Sequence, residues 1–161
     1  MSARRAKSRA IRVGVIGVGR GSSFARGAGP HLGMQLVALC DLWEERLREA
    51  GKEFGVATYT DYGKFLEHDM DAVILANYFH QHAPFAIRAL DAGKHVMSET
   101  SACRTLAEAA ALARAVERSG RIYFFAENYC FFNYNQEMRR LYQQGEIGEA
   151  RFAECEYNHP I

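Results

Sequence analysis

The sequence has almost no excess of charge, since 20 Lys and Arg residues balance 19 Asp and Glu residues for a formal net charge of +1. That balance gives no electrostatic reason to expect a nucleic acid or an acidic partner. No apolar run is long enough to cross a membrane. The four cysteines form no C-x-x-C pair and have no histidine at ligand spacing, so neither a disulfide framework nor a metal site is expected. We therefore expect a cytoplasmic protein with reduced thiols.

The length of 161 residues predicts one domain, and an apolar fraction of 48% is enough for a core. The only cluster of charge lies at the start of the chain, where residues 1–10 are interpreted as a flexible basic tail. The apolar run that follows, 11–16, is too short for a secretory signal and fits a first strand. No internal repeat or low-complexity linker divides the rest.

Apolar runs alternate with helical patterns along the chain. The runs are continuously apolar, which is typical of parallel strands buried on both faces. This alternation predicts right-handed strand–helix–strand units in a doubly wound, mostly parallel α/β sheet of the Rossmann type. Strands are predicted at 11–16, 36–40, 56–59, 72–76, 94–98, 122–126 and 150–157. A short first helix is followed by helices predicted at 42–54, 61–67, 81–92, 105–119 and 133–144.

The first strand leads into a glycine turn, Gly17-Val18-Gly19-Arg20-Gly21-Ser22. Gly17 would allow a tight turn and Gly19 a close approach of the backbone to a pyrophosphate, which the following helix start would also attract. The third position of the G-x-G-x-x-G pattern is Ser22, which is small enough for close helix–strand packing. The turn therefore predicts a dinucleotide site, against the alternative of a glycine-rich turn that binds nothing.

The second predicted strand ends at Asp41, 22 residues after Gly19. A carboxylate about 20 residues on accepts hydrogen bonds from the adenine ribose in such sites. Asp41 would repel a 2′-phosphate, so it favours NAD over NADP, although Arg20 and Arg46 could attract one. Asp41 could also be the N-cap of the helix at 42–54, and one residue could have both roles.

The last predicted strand, at 150–157, has no following element with which to pair. We therefore interpret 11–149 as a dinucleotide-binding domain and 150–161 as the start of a second α/β domain that is largely absent from this chain.

These features resemble the glucose–fructose oxidoreductase and inositol dehydrogenase family. The resemblance rests on the glycine turn with Asp41, on the strand 71–76 with His82 downstream, on the run Gly93-Lys94-His95-Val96-Met97-Ser98-Glu99, and on Asn128 followed by Gly145-Glu146-Ile147-Gly148. It implies an N-terminal Rossmann domain that binds NAD(P), a second domain that supplies substrate groups, and a homo-oligomer.

The chain departs from the family at two places. The family's E-K-P run reads Glu99-Thr100-Ser101 here, so a lysine thought to lie beside the nicotinamide and substrate is replaced by a hydroxyl that carries no charge at ordinary pH. The proline that makes a cis peptide easy is also missing. The usual Thr-Pro after the fourth strand reads Asn77-Tyr78. The catalytic acid and base are therefore not assigned.

Together, turn and resemblance predict a set of cofactor-binding residues and no metal site. For Glu99, His82 and Asn128 a capping or turn-stabilising role remains the alternative. The predicted cofactor-binding residues are Gly17, Gly19, Arg20, Gly21, Ser22, Asp41, Ala76, Asn77, Tyr78, His82, Glu99, Thr100 and Asn128.

The first hypothesis for function is the NAD-binding domain of an oxidoreductase acting on a sugar, polyol or related carbinol. The 161-residue chain alone is then expected to bind NAD without turnover. A second hypothesis, also implied by the resemblance, is a glycosidase that uses NAD for transient oxidation. The third is a non-catalytic dinucleotide-binding module.

Overall fold

A computed structural model describes residues 9–156 and 158. The strands are β1 (Ile11–Ile16), β2 (Met34–Cys40), β3 (Ala57–Tyr59), β4 (Ala72–Leu75), β5 (His95–Ser98) and β6 (Tyr123–Phe125). The helices are α1 (Gly21–Gly27), α2 (Glu44–Phe54), α3 (Tyr62–Glu67), α4 (His82–Asp91), α5 (Leu106–Ser119) and α6 (Asn133–Gln143). Short 3-10 turns lie at Pro30–Leu32, Phe79–Gln81 and Tyr129–Phe131.

The six strands form one sheet in the order β3-β2-β1-β4-β5-β6, and every neighbouring pair is parallel. The chain thus builds outward from β1 in one direction and then returns to build outward in the other. This is the doubly wound arrangement, and the predicted α/β Rossmann class is confirmed. The order reverses between β1 and β4, which is where such sheets bind their ligands.

Two apolar clusters pack on the two faces of the sheet, because successive strand residues point to opposite sides. On β4, Val73 and Leu75 belong to one cluster and Ile74, between them, belongs to the other. The first cluster includes Phe65 of α3 and Leu90 of α4, while the second includes Leu47 of α2. Burial on both faces explains why the strands are continuously apolar.

Two helices have side-chain N-caps, and each cap is the first residue of a predicted helical range, 61–67 or 105–119. Asp61 accepts from the Lys64 N–H at 2.8 Å and caps α3. Thr105 accepts from the Glu108 N–H at 3.1 Å and caps α5. The Glu108 carboxylate reaches back to the Arg104 N–H at 2.7 Å, one residue before the cap.

Two expectations about the elements are wrong. Helix α2 begins after Trp43, its N-cap, so Asp41 does not cap it. The predicted strand at 150–157 is absent from its described part, since 151–156 pair with no strand. A strand needs a hydrogen-bonding neighbour, and apolar composition alone does not provide one.

The chain divides into two compact units, one ending at Ala126 and the other beginning at Glu127. The first contains the sheet and α1–α5, and the second contains α6. The domain boundary predicted at 149/150 stays a prediction. Most of the predicted tail, residues 1–8, lies outside the described residues.

Candidate functional site

A cleft of about 810 Å³ opens at the carboxyl ends of the strands, in the first unit. Its volume is typical of a site for a small organic ligand. It is lined by the turn after β1, by the ends of β2, β3 and β4, and by the starts of α2, α3 and α4. The lining residues are Ile16, Gly17, Gly19, Arg20, Cys40, Asp41, Leu42, Trp43, Arg46, Thr60, Asp61, Tyr62, Ala76, Asn77, Tyr78, Gln81 and Phe85.

Gly17 begins the turn with a φ of +93°, a left-handed conformation that disfavours any residue with a side chain. A Cβ atom there would also lie 2.3 Å from the carbonyl oxygen of Ala76, at the end of β4. Gly17 is therefore required by the close packing of the turn against β4.

Gly19 is different, because a Cβ atom there would meet no atom within 4 Å among the described residues beyond its chain neighbours. The residue is exposed and lines the cleft. The fold itself gives no reason for a glycine here, whereas a ligand lying against the backbone would. This open space is the feature of the turn that fits a pyrophosphate.

The packing position of the turn is Gly21, and not Ser22 as the G-x-G-x-x-G spacing suggests. Gly21 is buried, and a Cβ there would lie 2.8 Å from Val15 Cγ1. Ser22 is half-buried and its hydroxyl donates to the carbonyl oxygen of Val18. Helix α1 and β1 are therefore brought close by a glycine one position earlier than expected.

Asp41 fixes the other side of the turn. One carboxylate oxygen accepts from the Val18 N–H at 2.7 Å, and the other accepts from the Trp43 N–H at 2.9 Å. Each oxygen keeps a further lone pair, and Asp41 lines the cleft, so the carboxylate can still accept from a ligand hydroxyl. Asp41 therefore holds the glycine turn and presents an acceptor at the same time.

Cys40, directly before Asp41, is buried at the floor of the cleft. Burial and the neighbouring Asp41 carboxylate raise the pKa of its thiol to about 12. The thiol therefore remains protonated at neutral pH and is not a nucleophile.

Asn77 and Tyr78 continue the cleft beyond β4. The Asn77 side chain donates to Gln81 Oε1 at 3.1 Å, while its own Oδ1 is buried and accepts no hydrogen bond from the described residues. Tyr78 is 72% exposed and its ring stacks on His80. Polar and aromatic groups thus stand where the family has Thr-Pro.

His82 is buried, with 1% of its surface exposed, and does not line the cleft. Its Nδ1 lies 2.9 Å from the Ser101 carbonyl oxygen and its Nε2 lies 3.2 Å from that of Asn77. A neutral imidazole donates from one nitrogen and a protonated ring from both. His82 thereby joins the segment after β4 to the segment after β5, and its direct contact with a cofactor stays a prediction.

Arg20 and Glu99 form an ion pair, with Arg20 Nε 2.6 Å from Glu99 Oε1. Glu99 Oε2 accepts from the Thr100 N–H at 2.9 Å. Burial acts to raise the pKa of the Glu99 carboxyl, but the hydrogen bonds from Arg20 and Thr100 outweigh it and hold the pKa below its usual value. Glu99 is therefore ionised at neutral pH. The Thr100–Ser101 peptide bond is cis although the family's proline is missing.

The structure brings most of the predicted residues to one place. Gly17, Gly19, Arg20, Asp41, Ala76, Asn77 and Tyr78 line the cleft. Gly21, Ser22, His82, Glu99 and Thr100 do not line it, although Glu99 is paired with Arg20 and His82 contacts the backbone of Asn77. Asn128 lies in the second unit, where it is the N-cap of the 3-10 turn at Tyr129–Phe131.

Several lining residues were missed from the sequence. Trp43, the residue before α2, was not predicted, and Arg46, in the first turn of α2, was named only as a possible partner of a 2′-phosphate. The Arg46 guanidinium lies 5.4 Å from the centre of the Trp43 ring. Thr60 and Asp61 follow β3, so a rule that every residue after a parallel strand is a candidate would have found them. Tyr62 and Phe85 come from α3 and α4, and only the tertiary structure brings them to the cleft.

Within the described residues, no group of three or more His, Cys, Asp and Glu side chains is placed to hold a metal ion. Among the same residues, no helix is both long enough and apolar enough to span a membrane.

A doubly wound sheet with a glycine turn and an acidic residue after β2 defines a dinucleotide-binding protein of the Rossmann class. Residues 11–127 match the family described as "Oxidoreductase family, NAD-binding Rossmann fold". The chain belongs to this family. The suspected family and NAD as its cofactor are thereby confirmed.

Individual relatives agree with this membership. The chain is 33% identical to the dTDP-3,4-didehydro-2,6-dideoxy-alpha-D-glucose 3-reductase of Streptomyces violaceoruber, over 94% of this chain and 45% of that protein. It is 32% identical to "Glycosyl hydrolase family 109 protein 1" of Bacteroides thetaiotaomicron, over 96% of this chain and 36% of that protein. The chain thus spans less than half the length of these relatives.

Solved structures share the fold. The scyllo-inositol dehydrogenase of Lactobacillus casei, solved with bound NAD(H) and scyllo-inositol, aligns with a TM-score of 0.79 and 26% identity, covering 86% of this chain and 42% of that one. The chain is accordingly an NAD-binding Rossmann domain of an oxidoreductase family with sugar- and polyol-acting members.

Proposed function

We propose that this protein is an NAD-dependent oxidoreductase that transfers hydride at a carbinol carbon of a sugar, polyol or related compound. The observation that carries the proposal is the cleft at the reversal of strand order, where Gly19 leaves room against the backbone and Asp41 presents a carboxylate. The names of the reductase and of the inositol dehydrogenase support the substrate class.

The proposed roles follow the halves of a dinucleotide. Gly17 and Gly19 lie against the pyrophosphate and the Arg20 N–H donates to it, while the N–H groups of Gly21 and Ser22 donate to the carbonyl oxygens of Gly17 and Gly19 at 2.9 and 3.4 Å and so hold the turn. Asp41 accepts from the adenine ribose. Ala76, Asn77, Tyr78, Glu99 and Thr100 serve the nicotinamide half, and a contact of His82 or Asn128 with the cofactor stays a prediction from the sequence. The unsatisfied Asn77 Oδ1 supports this part, because a buried acceptor without a donor is costly unless a ligand provides one.

In the proposed function, the residues of the described cleft do not transfer the proton of the substrate hydroxyl. Thr100 offers only a hydroxyl, and Glu99 is ionised and paired with Arg20. We propose that the acid and base come from a second domain that begins near residue 150. The 161-residue chain would then bind NAD without turnover.

Calorimetry with NAD and NADP tests this proposal on the chain as it is. The expected result is binding of NAD, weaker binding of NADP, and no formation of NADH from sugars or polyols. Absence of NAD binding would contradict the proposed site, and turnover by this chain would contradict the proposed location of the acid and base.

A second candidate function is a glycosidase that oxidises, eliminates and re-reduces its substrate with NAD held throughout. Relatives named as glycosyl hydrolase family 109 proteins favour it, as does Thr100 in place of the family lysine. The two functions differ in the fate of NAD. Hydrolysis of a glycoside by the protein without accumulation of NADH would favour the glycosidase.

The assembly is proposed on the resemblance, and the location on the spacing of the four cysteines. We propose a homo-oligomer that works in the cytoplasm. Sedimentation velocity checks the first statement, and a single species at the monomer mass of 18.1 kDa would contradict it for this chain.

A further inference from the structure

The ion pair between Arg20 and Glu99 crosses the mouth of the sheet. Arg20 belongs to the turn after β1 and Glu99 directly follows β5, whereas β4 lies between these strands. The 2.6 Å contact from Arg20 Nε to Glu99 Oε1 therefore reaches over the carboxyl end of β4. In this class of fold the dinucleotide passes between β1 and β4 at the same end of the sheet. The ion pair thus lies across the proposed path of the cofactor.

The two side chains of the ion pair differ in how tightly the fold holds them. The Glu99 side chain is 13% exposed, and its carboxylate also accepts from the Thr100 N–H. Its backbone N–H donates to the Leu75 carbonyl oxygen at 2.9 Å, which fixes Glu99 to β4. The Arg20 side chain is 64% exposed and lines the cleft. Arg20 is therefore the partner that can move.

A pyrophosphate is a better partner for this guanidinium than a single carboxylate. It presents two negatively charged groups, and arginine binds phosphate oxygens with two parallel hydrogen bonds. Glu99 and the pyrophosphate would then compete for the same cation at the mouth of the cleft.

We propose that Arg20 exchanges partners on binding, leaving the Glu99 carboxylate and donating to the cofactor's pyrophosphate, so that Glu99 limits the affinity for pyrophosphate ligands. This inference rests on the proposed dinucleotide site. Glu99 then lowers the affinity of the protein for pyrophosphate ligands, because in the unliganded protein it holds the Arg20 guanidinium that the ligand needs. The released carboxylate remains bonded to Thr100 and can accept from a ligand hydroxyl.

The test is calorimetry of ADP, which carries the pyrophosphate without the nicotinamide, on the full chain. The Glu99→Gln change removes the charge and keeps the shape, so ADP is expected to bind about two- to fivefold more tightly, as for release of one exposed ion pair. Arg20→Ala is expected to weaken ADP binding about tenfold. In the Arg20→Ala background, the gain from Glu99→Gln is expected to vanish.

Two controls isolate the effect. Adenosine has no phosphate, so Glu99→Gln should leave its affinity unchanged. Glu53→Gln breaks a matched ion pair, with Arg26 Nη2 at 3.2 Å from Glu53 Oε1, whose residues do not line the cleft. This variant should bind ADP like the parent. Thermal unfolding of every variant establishes that it is folded.

The outcomes separate the inference from the function on which it rests. If the parent chain binds neither ADP nor NAD, both are overturned. If the parent binds and Glu99→Gln gains nothing, only the partner exchange is overturned. A gain that persists undiminished with Arg20→Ala would show simple repulsion by Glu99, which also overturns the exchange.

Discussion

The two halves of the cleft are built from different parts of the polypeptide. On the β1–β2 side Gly17 and Gly19 line the cleft with backbone that the Asp41 carboxylate holds, beside the side chains of Trp43 and Arg46. On the β4 side the lining includes the side chains of Asn77 and Tyr78, and His82 joins the segment after β4 to the segment after β5. The first half suits the pyrophosphate and the adenine ribose, which every dinucleotide cofactor of this kind contains. The second half is where the sequence departs from the family pattern, at Asn77-Tyr78 and Thr100.

The largest effect is expected for Gly17→Ala, which places a Cβ against the Ala76 carbonyl in a left-handed conformation. We expect a loss of about 3 kcal/mol in the free energy of unfolding, from strain and overlap together. Urea denaturation measures it. A loss below about 1 kcal/mol would mean that the turn can move away from β4 and that the first half is not rigid.

On the other half, His82→Ala is expected to cost about 2–3 kcal/mol, because a buried ring and its link between two carbonyl groups are lost. If His82 acts on the nicotinamide side, the variant should also lose NAD affinity while its ADP affinity is kept. His31→Ala is the control, since His31 is exposed and does not line the cleft. Equal losses for NAD and ADP would assign His82 to general stability only.

Asp41→Ala tests the carboxylate that serves both fold and ligand. Two backbone N–H groups lose their acceptor, so we expect about 1–2 kcal/mol of lost stability. NAD affinity should fall about tenfold and the preference for NAD over NADP should shrink. Asp91→Ala, which breaks the ion pair with Arg118 away from the cleft, is the control. Unchanged NAD affinity would refute the ribose role of Asp41.

Gly19→Ala should separate binding from folding. The added methyl group meets no atom in the described part of the chain beyond its neighbours, so stability should change by less than about 0.5 kcal/mol. The same methyl would occupy the space proposed for the pyrophosphate, so ADP and NAD affinity should both fall about tenfold or more. Denaturation and calorimetry on one sample check both statements, and undiminished binding would place the pyrophosphate elsewhere.

The smallest expected effect is the loss of the Glu99 contribution to stability at low pH. The pKa of Glu99 is lowered in the folded chain, so the ionised carboxylate stabilises the fold above the ordinary value of 4.5, and this contribution is lost as pH falls further. The parent chain should exceed Glu99→Gln in stability by about 0.5 kcal/mol at pH 7, and the difference should shrink below pH 4.5. Denaturation of both proteins at about pH 7 and about pH 3.5 measures this difference in stability. A difference that does not change with pH would contradict a lowered pKa for Glu99.

Most of the fold was predictable because it depends on local periodicity. The described strands and helices lie within a few residues of the predicted ranges, and Asp61 and Thr105 cap the helices they were expected to begin. The predicted strand at 150–157 failed because a strand is defined by pairing and not by composition.

The candidate site was predictable to the extent that it depends on strand ends. Asp41, Ala76 and Asn77 follow or end strands at the same edge of the sheet, and their place in the cleft follows from parallel order. The sequence assigned helix packing to Ser22 where Gly21 performs it, because the motif spacing takes no account of which residue faces β1.

By itself, the sequence determined the class of this protein. The order of apolar runs, the glycine turn and the acid after β2 specify a dinucleotide-binding sheet because each is a local requirement of chain geometry. Only the tertiary structure decided which groups act together. The Arg20–Glu99 pair and the His82 link join residues 79 and 19 positions apart, and packing of separate loops at one sheet edge is what brings them into contact.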